Sequence, residues 1–224
     1  MIDMPDYVTP DFKTLSYIRD KYNLDLNMRS PIEIPNVGRD DLALLFAELG
    51  FKSGAEIGVE QGMYTEVLCK ANPQAKIYAV DAWQAYSGYR DHVSQDKLDG
   101  FYEAAKERMT SYNCELVRKF SMDALDDFQD KSLDFIYIDS NHELQHVVND
   151  LIEWAHKVHW GGIVSGHDYR QSKRFDTRNH VVFAVNAYVA SYRVRPWFIL
   201  GRRDRREGEV RDDARSWFWV KSHA

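Results

Sequence analysis

From Gly54 onward, short β-prone runs alternate with stretches of helical periodicity. The runs are AEIGV (55–59), AKIYAVDA (75–82), CELVRKF (114–120), LDFIYID (133–139) and GGIVSGHD (161–168), and the segments 63–71, 99–112, 122–129 and 143–157 between them read as helices. Strand following helix in this regular way predicts a parallel sheet with crossover helices on both faces. Beyond Asp168 comes a further helical stretch, HVVFAVNAYVASY (180–192), then two aromatic runs, RPWFIL (195–200) and SWFWVK (216–221). The segment joining these two is almost wholly charged and reads as a solvated hairpin loop; its alternative is a basic patch, weakened by the interspersed acids.

The first forty residues follow another pattern. Thr9, Pro10 and Asp11 form a helix-start signal, and Phe12, Leu15, Ile18 and Tyr22 then recur at helical spacing to about Asn23. SPIEIPNVG, with Pro31 and Pro35, reads as a connector. Asp40 opens a second helix with Leu42, Leu45, Phe46 and Leu49 on one face, and Gly50 ends it. The expected organisation is a helical extension over 1–40 and one α/β domain over 41–224, with no internal repeat.

Composition narrows the class of protein. The 224 residues are 44% hydrophobic and 29% charged, enough apolar material for a full core, and the formal charge of −6 argues against a surface built to track phosphate backbones. No nucleic acid is expected as a partner. No apolar window approaches the roughly 20 residues of a membrane span, and the N-terminus lacks a signal-peptide pattern. The two cysteines, Cys69 and Cys114, form neither a disulfide framework nor a metal pair, and they suit a reducing compartment, the cytoplasm by default.

The chemistry-bearing residues fall at strand ends. The first run passes through Glu56-Ile57-Gly58-Val59-Glu60-Gln61-Gly62 straight into a helix. Gly58 and Gly62 permit a tight turn against which a ligand can lie, where open α/β sheets bind nucleotides. A G-x-G-x-x-G fingerprint is absent. Glu56 and Glu60 disfavour a pyrophosphate and favour an ammonium or sulfonium ligand; a turn with no ligand is the plainer alternative. Asp81, followed by Ala82, ends the second run where an acid accepts hydrogen bonds from ribose hydroxyls. A helix N-cap is the other reading of that aspartate. Trp83, Tyr86 and Tyr89 are either packing or a pocket wall. Ser121 and Met122 after the third run could contact an adenine edge or cap a helix.

In this order the motifs resemble the class I S-adenosylmethionine-dependent methyltransferases, over roughly residues 50 to 222. The resemblance rests on E-x-G-x-x-x-G at 56–62, Asp81, and the block LDFIYIDSNHELQHVVNDLIEWAHKVHWGGIVSGHDY at 133–169. That block looks like the small-molecule O-methyltransferases of the macrocin and cephalosporin-cluster type, with Asp139, His142, Trp154, Gly161-Gly162 and the triplet His167-Asp168-Tyr169 in the family's places. The resemblance implies a Rossmann-like, doubly wound, mostly parallel seven-stranded sheet with an antiparallel C-terminal hairpin. It implies Glu56 and Gly58 near the cofactor's methionine, Gly62 in the turn, Asp81 and Ala82 near the ribose, Ser121 and Met122 near the adenine, and Asp139 at the cofactor's edge. A divalent cation such as magnesium would be held by Asp139, His167 and Asp168. The family's first acid of that pair is here His167, a softer ligand.

Chemically, an alcohol becomes nucleophilic as its proton leaves, so the protein must align donor and acceptor and supply a base. Asp139, His142 and His167 share one rim and are the candidate catalytic residues, histidine titrating near neutrality. Ser140-x-x-Glu143 alternatively fits a capping box for the following helix. His146, His156 and His159 read as surface or packing residues. The expected activity is methylation of a small hydroxylated acceptor, a sugar or secondary metabolite. The alternatives are a cofactor-binding partner module without turnover and, disfavoured by the missing glycine, a nucleotide-sugar dehydrogenase or epimerase. The extension is expected to cover the rim as a lid or to make a contact between copies of the chain in a homo-oligomer.

Overall fold

A computed structural model describes residues 13–86, 94–170 and 179–222. The Thr9–Asp11 start signal, Tyr89 and much of the segment after Tyr169 lie outside these. In chain order the elements are α1 (Lys13–Tyr22), β1 (Ile32–Ile34), α2 (Arg39–Glu48), β2 (Ser53–Ile57), α3 (Met63–Ala71), β3 (Lys76–Asp81), α4 (Gln95–Met109), β4 (Cys114–Arg118), α5 (Ser121–Ala124), β5 (Leu133–Ile138), α6 (Leu144–Lys157), β6 (Val158–Gly166), α7 (Val181–Ser191), β7 (Phe198–Leu200) and β8 (Trp217–Val220).

These strands form one sheet in the order β1-β7-β8-β6-β5-β2-β3-β4. Strands β2 to β6 are parallel to their neighbours among themselves, and β8 runs antiparallel to both β6 and β7. The seven expected strands are all present, and an eighth joins them: β1 pairs in parallel with β7, Ile32 opposite Phe198. Three residues between two prolines carry too little alternation to announce a strand, yet Ile32 and Ile34 are buried while Glu33 is exposed. A waiting edge decided that pairing.

Alternation along each central strand feeds two cores. On β5, Ile136 and Ile138 pack with Leu151 and Trp154 of α6 and Val185 of α7. Phe135 and Tyr137 point the other way, among Leu42 and Phe46 of α2 and Leu68 of α3. Leu15 and Ile18 of α1 belong to this second cluster. A boundary at residue 40 therefore falls inside α2 and inside one continuous core. The Thr14 hydroxyl donates to the Gly161 carbonyl near the start of β6 (2.7 Å), and Lys21 pairs with Glu48 at the end of α2 (2.7 Å). These contacts hold α1 toward the strand ends remote from the glycine turn, so α1 is not the cover over the rim expected of the extension. Among the described residues, no helix is long and apolar enough to cross a membrane.

The sheet order also locates the site. After β2 the chain builds outward through β3 and β4, then returns to place β5 on the other side of β2. The crevice beyond the carboxyl ends of β2 and β5 is the topological switch point, where such sheets bind ligands.

Candidate functional site

At that crevice the backbones of two strands converge. Gly58 leaves β2 with φ of +90°, and a Cβ placed on it would stand 2.3 Å from the carbonyl oxygen of Asp139 at the end of β5. Only glycine fits, because both the dihedral and the approach exclude a side chain. The turn then reaches Gly62, which adopts φ of +75° as the residue before α3.

Asp81 braces this turn. Its Oδ2 accepts hydrogen bonds from the amides of Val59 (2.9 Å) and Glu60 (3.0 Å), and its Oδ1 from the amide of Trp83 (2.9 Å). No helix starts at Asp81, so the N-cap reading falls away. The buried Trp83 indole donates to the Glu60 carbonyl at 2.7 Å. Glu56 is buried beneath, accepting a hydrogen bond from the Thr65 hydroxyl. Burial pushes its carboxyl well above the usual range despite that bond.

A cavity of about 790 Å³ opens over these residues. Glu56, Gly58, Asp81, Ala82, Ser121, Met122, Asp139 and His142 all line it. Gly62, His167 and Asp168 do not: Gly62 shapes the turn, and the other two stand behind Asp139 and His142. Several lining residues carried no signal of their own in the sequence. Arg39 enters from the first turn of α2, Asn141 donates its amide to the Tyr86 hydroxyl (2.7 Å), and His146 and Asp150 lie one turn apart on α6. His146 is thus a cavity residue rather than only a surface one; its ring lies 6.2 Å from that of Tyr86. The i, i+4 spacing of His146 and Asp150 was the available clue, and it needed the facing of α6 to be read.

The capping box does not form. Glu143 itself is the residue before α6, the Asn141 side chain accepts from its amide (2.9 Å), and Ser140 donates to the buried Asp150 carboxylate instead. Burial raises the Asp150 carboxyl, with the Ser140 bond opposing.

Four side chains form a charged cluster at the ends of β5 and β6. His142 Nε2 lies 3.0 Å from Asp168 Oδ2 and 3.5 Å from Asp139 Oδ1, and His167 Nδ1 lies 3.4 Å from Asp139 Oδ2. The other Asp168 oxygen faces Arg170 (3.1 Å) and the Asn179 amide (3.3 Å). Asp139, His142 and Asp168 each present a ligand atom within 4.8 Å of the others. The expected ligand set paired the two aspartates with His167; among the described residues, the compact triad contains His142 in its place.

Burial pulls the His142 imidazole down, but hydrogen bonds and charge from Asp139 and Asp168 outweigh it and hold the group at about 10. The same balance sets His167 at about 9. Burial opposes ionisation of Asp168 as well, yet the two histidines hold it far below the usual range. A histidine raised in the folded state contributes stability that is complete below its unfolded pKa, near 6.5, and is lost as pH climbs through the folded value. In chelator, the melting-temperature advantage of the parent over His142→Gln is therefore expected to shrink between pH 7 and 10. An advantage that stays constant across that range would show the ion pairing is not formed.

Comparison with known proteins places this geometry. A family model described as a methyltransferase domain matches residues 55–169, the span from the glycine turn to the end of the β6 cluster. The chain belongs to that methyltransferase family. A curated relative, the uncharacterized protein y4gI of Sinorhizobium fredii, is 29% identical over 124 residues, which is 50% of this chain but 12% of that longer protein. Among solved structures, the O-methyltransferase of Bacillus cereus in complex with SAH superposes with a TM-score of 0.59 at 17% identity, covering 96% of this chain and 94% of that one. The O-methyltransferase TomG of Streptomyces achromogenes, involved in tomaymycin synthesis and in complex with SAM, gives 0.57 at 16% identity, over 96% and 92%. These likenesses show a shared fold.

Proposed function

We propose that the protein transfers the methyl group of S-adenosylmethionine to a hydroxyl oxygen of a small acceptor, a sugar or secondary metabolite. The observation that carries this reading is the Asp139–His142–His167–Asp168 cluster on the rim of a cavity whose floor is the glycine turn. The O-methyltransferases of similar fold, in complex with SAH or SAM, support both the cofactor and the oxygen acceptor.

Asp81, Ala82, Ser121 and Met122 would hold the adenosine of the cofactor, and Glu56 and Gly58 its methionine. The sulfonium methyl is already activated, so the protein's task is alignment and proton removal. Asp139 and His142 are the cluster members that reach the cavity. Asp139 accepts the hydrogen bond of the acceptor hydroxyl and turns an oxygen lone pair toward the methyl carbon. The bound cofactor would supply the methyl group, the O–CH3 bond forming as the C–S bond breaks with its electron pair left on sulfur as a neutral thioether. The hydroxyl proton goes to the ionised Asp139 carboxylate, since His142 and His167 already carry their protons at neutral pH, and leaves from there to solvent.

Two carboxylates and an imidazole within 4.8 Å are a donor set that fits a divalent cation. Asp139, His142 and Asp168 would hold it, with His167 behind. Bound there, such a cation would lower the pKa of a coordinated hydroxyl.

Calorimetric titration with S-adenosylmethionine and S-adenosylhomocysteine, in chelator and then with magnesium or manganese, tests cofactor and cation together. Saturable binding of both nucleosides is expected, with a cation heat that disappears in Asp168→Asn. A chain that binds neither nucleoside sinks the reading.

A further inference from the structure

Arg39 is a cavity residue to which the proposed chemistry gives no role. It is the first residue of α2, and its backbone is anchored independently of its side chain: the amide donates to Asp212 Oδ2 (2.7 Å) and the carbonyl accepts from the Tyr64 hydroxyl (2.8 Å). The half-buried guanidinium lies over the Tyr64 ring, 4.9 Å from its centroid. Among the described residues it makes no ion pair within 4.0 Å; the charges of Asp139 and Asp212 act on it from further off, and Glu56 lines the same cavity. Other arginines near the turn are paired, as Arg108 is with Glu66 at 2.8 Å and Arg118 with Asp99 at 2.6 Å.

A guanidinium and a carboxyl that share one cavity without forming an ion pair are complementary to a zwitterion, whose ammonium would offset the burial that holds the Glu56 carboxyl high. Met63 and Tyr64, which also line the cavity, form the first turn of α3. Its helix dipole favours negative charge on the same side as Arg39. The guanidinium's planar fork matches a carboxylate in two parallel hydrogen bonds.

We propose that Arg39 binds the α-carboxylate of the cofactor's amino-acid tail, while Glu56 faces its ammonium. This rests on reading the cavity as an S-adenosylmethionine site and gives the extension a role in holding the cofactor. Arg39 acts as a binding and positioning residue: by fixing the tail it fixes the direction of the sulfonium methyl.

The test uses the full chain, calorimetry and three ligands: S-adenosylhomocysteine, decarboxylated S-adenosylmethionine, which keeps the ammonium, and 5′-methylthioadenosine, which lacks the whole tail. Arg39→Met retains an apolar stem over Tyr64. Its affinity for S-adenosylhomocysteine is expected to fall roughly 10- to 100-fold, the scale of a lost charge-assisted hydrogen bond. The other two ligands should bind within about twofold of the parent, since neither presents a carboxylate to the lost charge. Arg39→Lys should recover part of the loss. Unchanged S-adenosylhomocysteine affinity in Arg39→Met overturns the assignment, and so does an equal loss for all three ligands. A raised KM for the acceptor alone overturns it too, by giving the guanidinium to the other substrate. If the parent itself binds no S-adenosylhomocysteine, the cofactor reading falls and takes this inference with it.

Discussion

Asp139→Asn is expected to lower the methyl-transfer rate by roughly 10²- to 10⁴-fold, the range for loss of a positioned proton-transfer group. The substitution keeps the shape of the side chain and removes its charge. His142 then retains Asp168 at 3.0 Å, while His167 loses its contact at 3.4 Å. Burial and the two histidines act in opposite directions on Asp139, and the histidines prevail, so its carboxyl stays below the usual range and ionised at neutral pH. The neutral amide cannot orient the hydroxyl in the same way, nor take up its proton. S-adenosylhomocysteine affinity should change far less than turnover, because Glu56, Asp81 and the glycine turn remain. A variant within threefold of the parent in kcat would remove the cluster from the chemistry.

The second large effect is expected at Gly58. An alanine there must hold φ of +90° and place its Cβ 2.3 Å from the Asp139 carbonyl oxygen and 2.6 Å from Ser140 Cα. Both obstacles are backbone, and neither can rotate away. A left-handed conformation costs about 1–2 kcal/mol for a residue with a Cβ and overpacking about 1–3 kcal/mol, so about 2–5 kcal/mol of stability is at stake. For a chain of this size that is a fall in melting temperature of roughly 4–20 °C. The relief available is for the end of β5 to retreat, which carries Asp139 out of register with the turn. Cofactor affinity and turnover should therefore fall together. Parent-like melting with parent-like S-adenosylhomocysteine binding would show that the two strand ends do not approach as described.

The two substitutions probe residues of unequal visibility. Gly58 stood out because glycine between a β-run and a helix marks a turn, and Asp139 because it ends a strongly apolar run. The signals around them were less complete. The aspartate ending β3 was legible as a ligand residue, but its two hydrogen bonds from the amides of the turn were not, since they join residues 21 and 22 apart through the β2–β3 pairing. The choice between His142 and His167 as the third member of the compact triad was equally hidden. Both follow strand ends closely, and only the rotation of the chain entering α6 brings His142 Nε2 between the two carboxylates. Ser140 and Glu143 had the spacing of a capping box, but a buried Asp150 nearly two helix turns into α6 competed for the Ser140 hydroxyl and took it.

What the amino-acid order by itself determined was the alternation of strand and helix, the mostly parallel sheet, and the set of short polar segments that would carry chemistry. Those properties are local: residue periods of 2 and 3.6, glycine at the turns, and acids where apolar runs stop. The tertiary structure alone decided that β5 returns beside β2, that β1 completes an edge, and that Arg39, His146 and Asp150 face the same cavity as Glu56 and Asp139. Such convergence is set by strand order and helix facing, which depend on which distant apolar surfaces bury each other, and no short window of sequence contains that information.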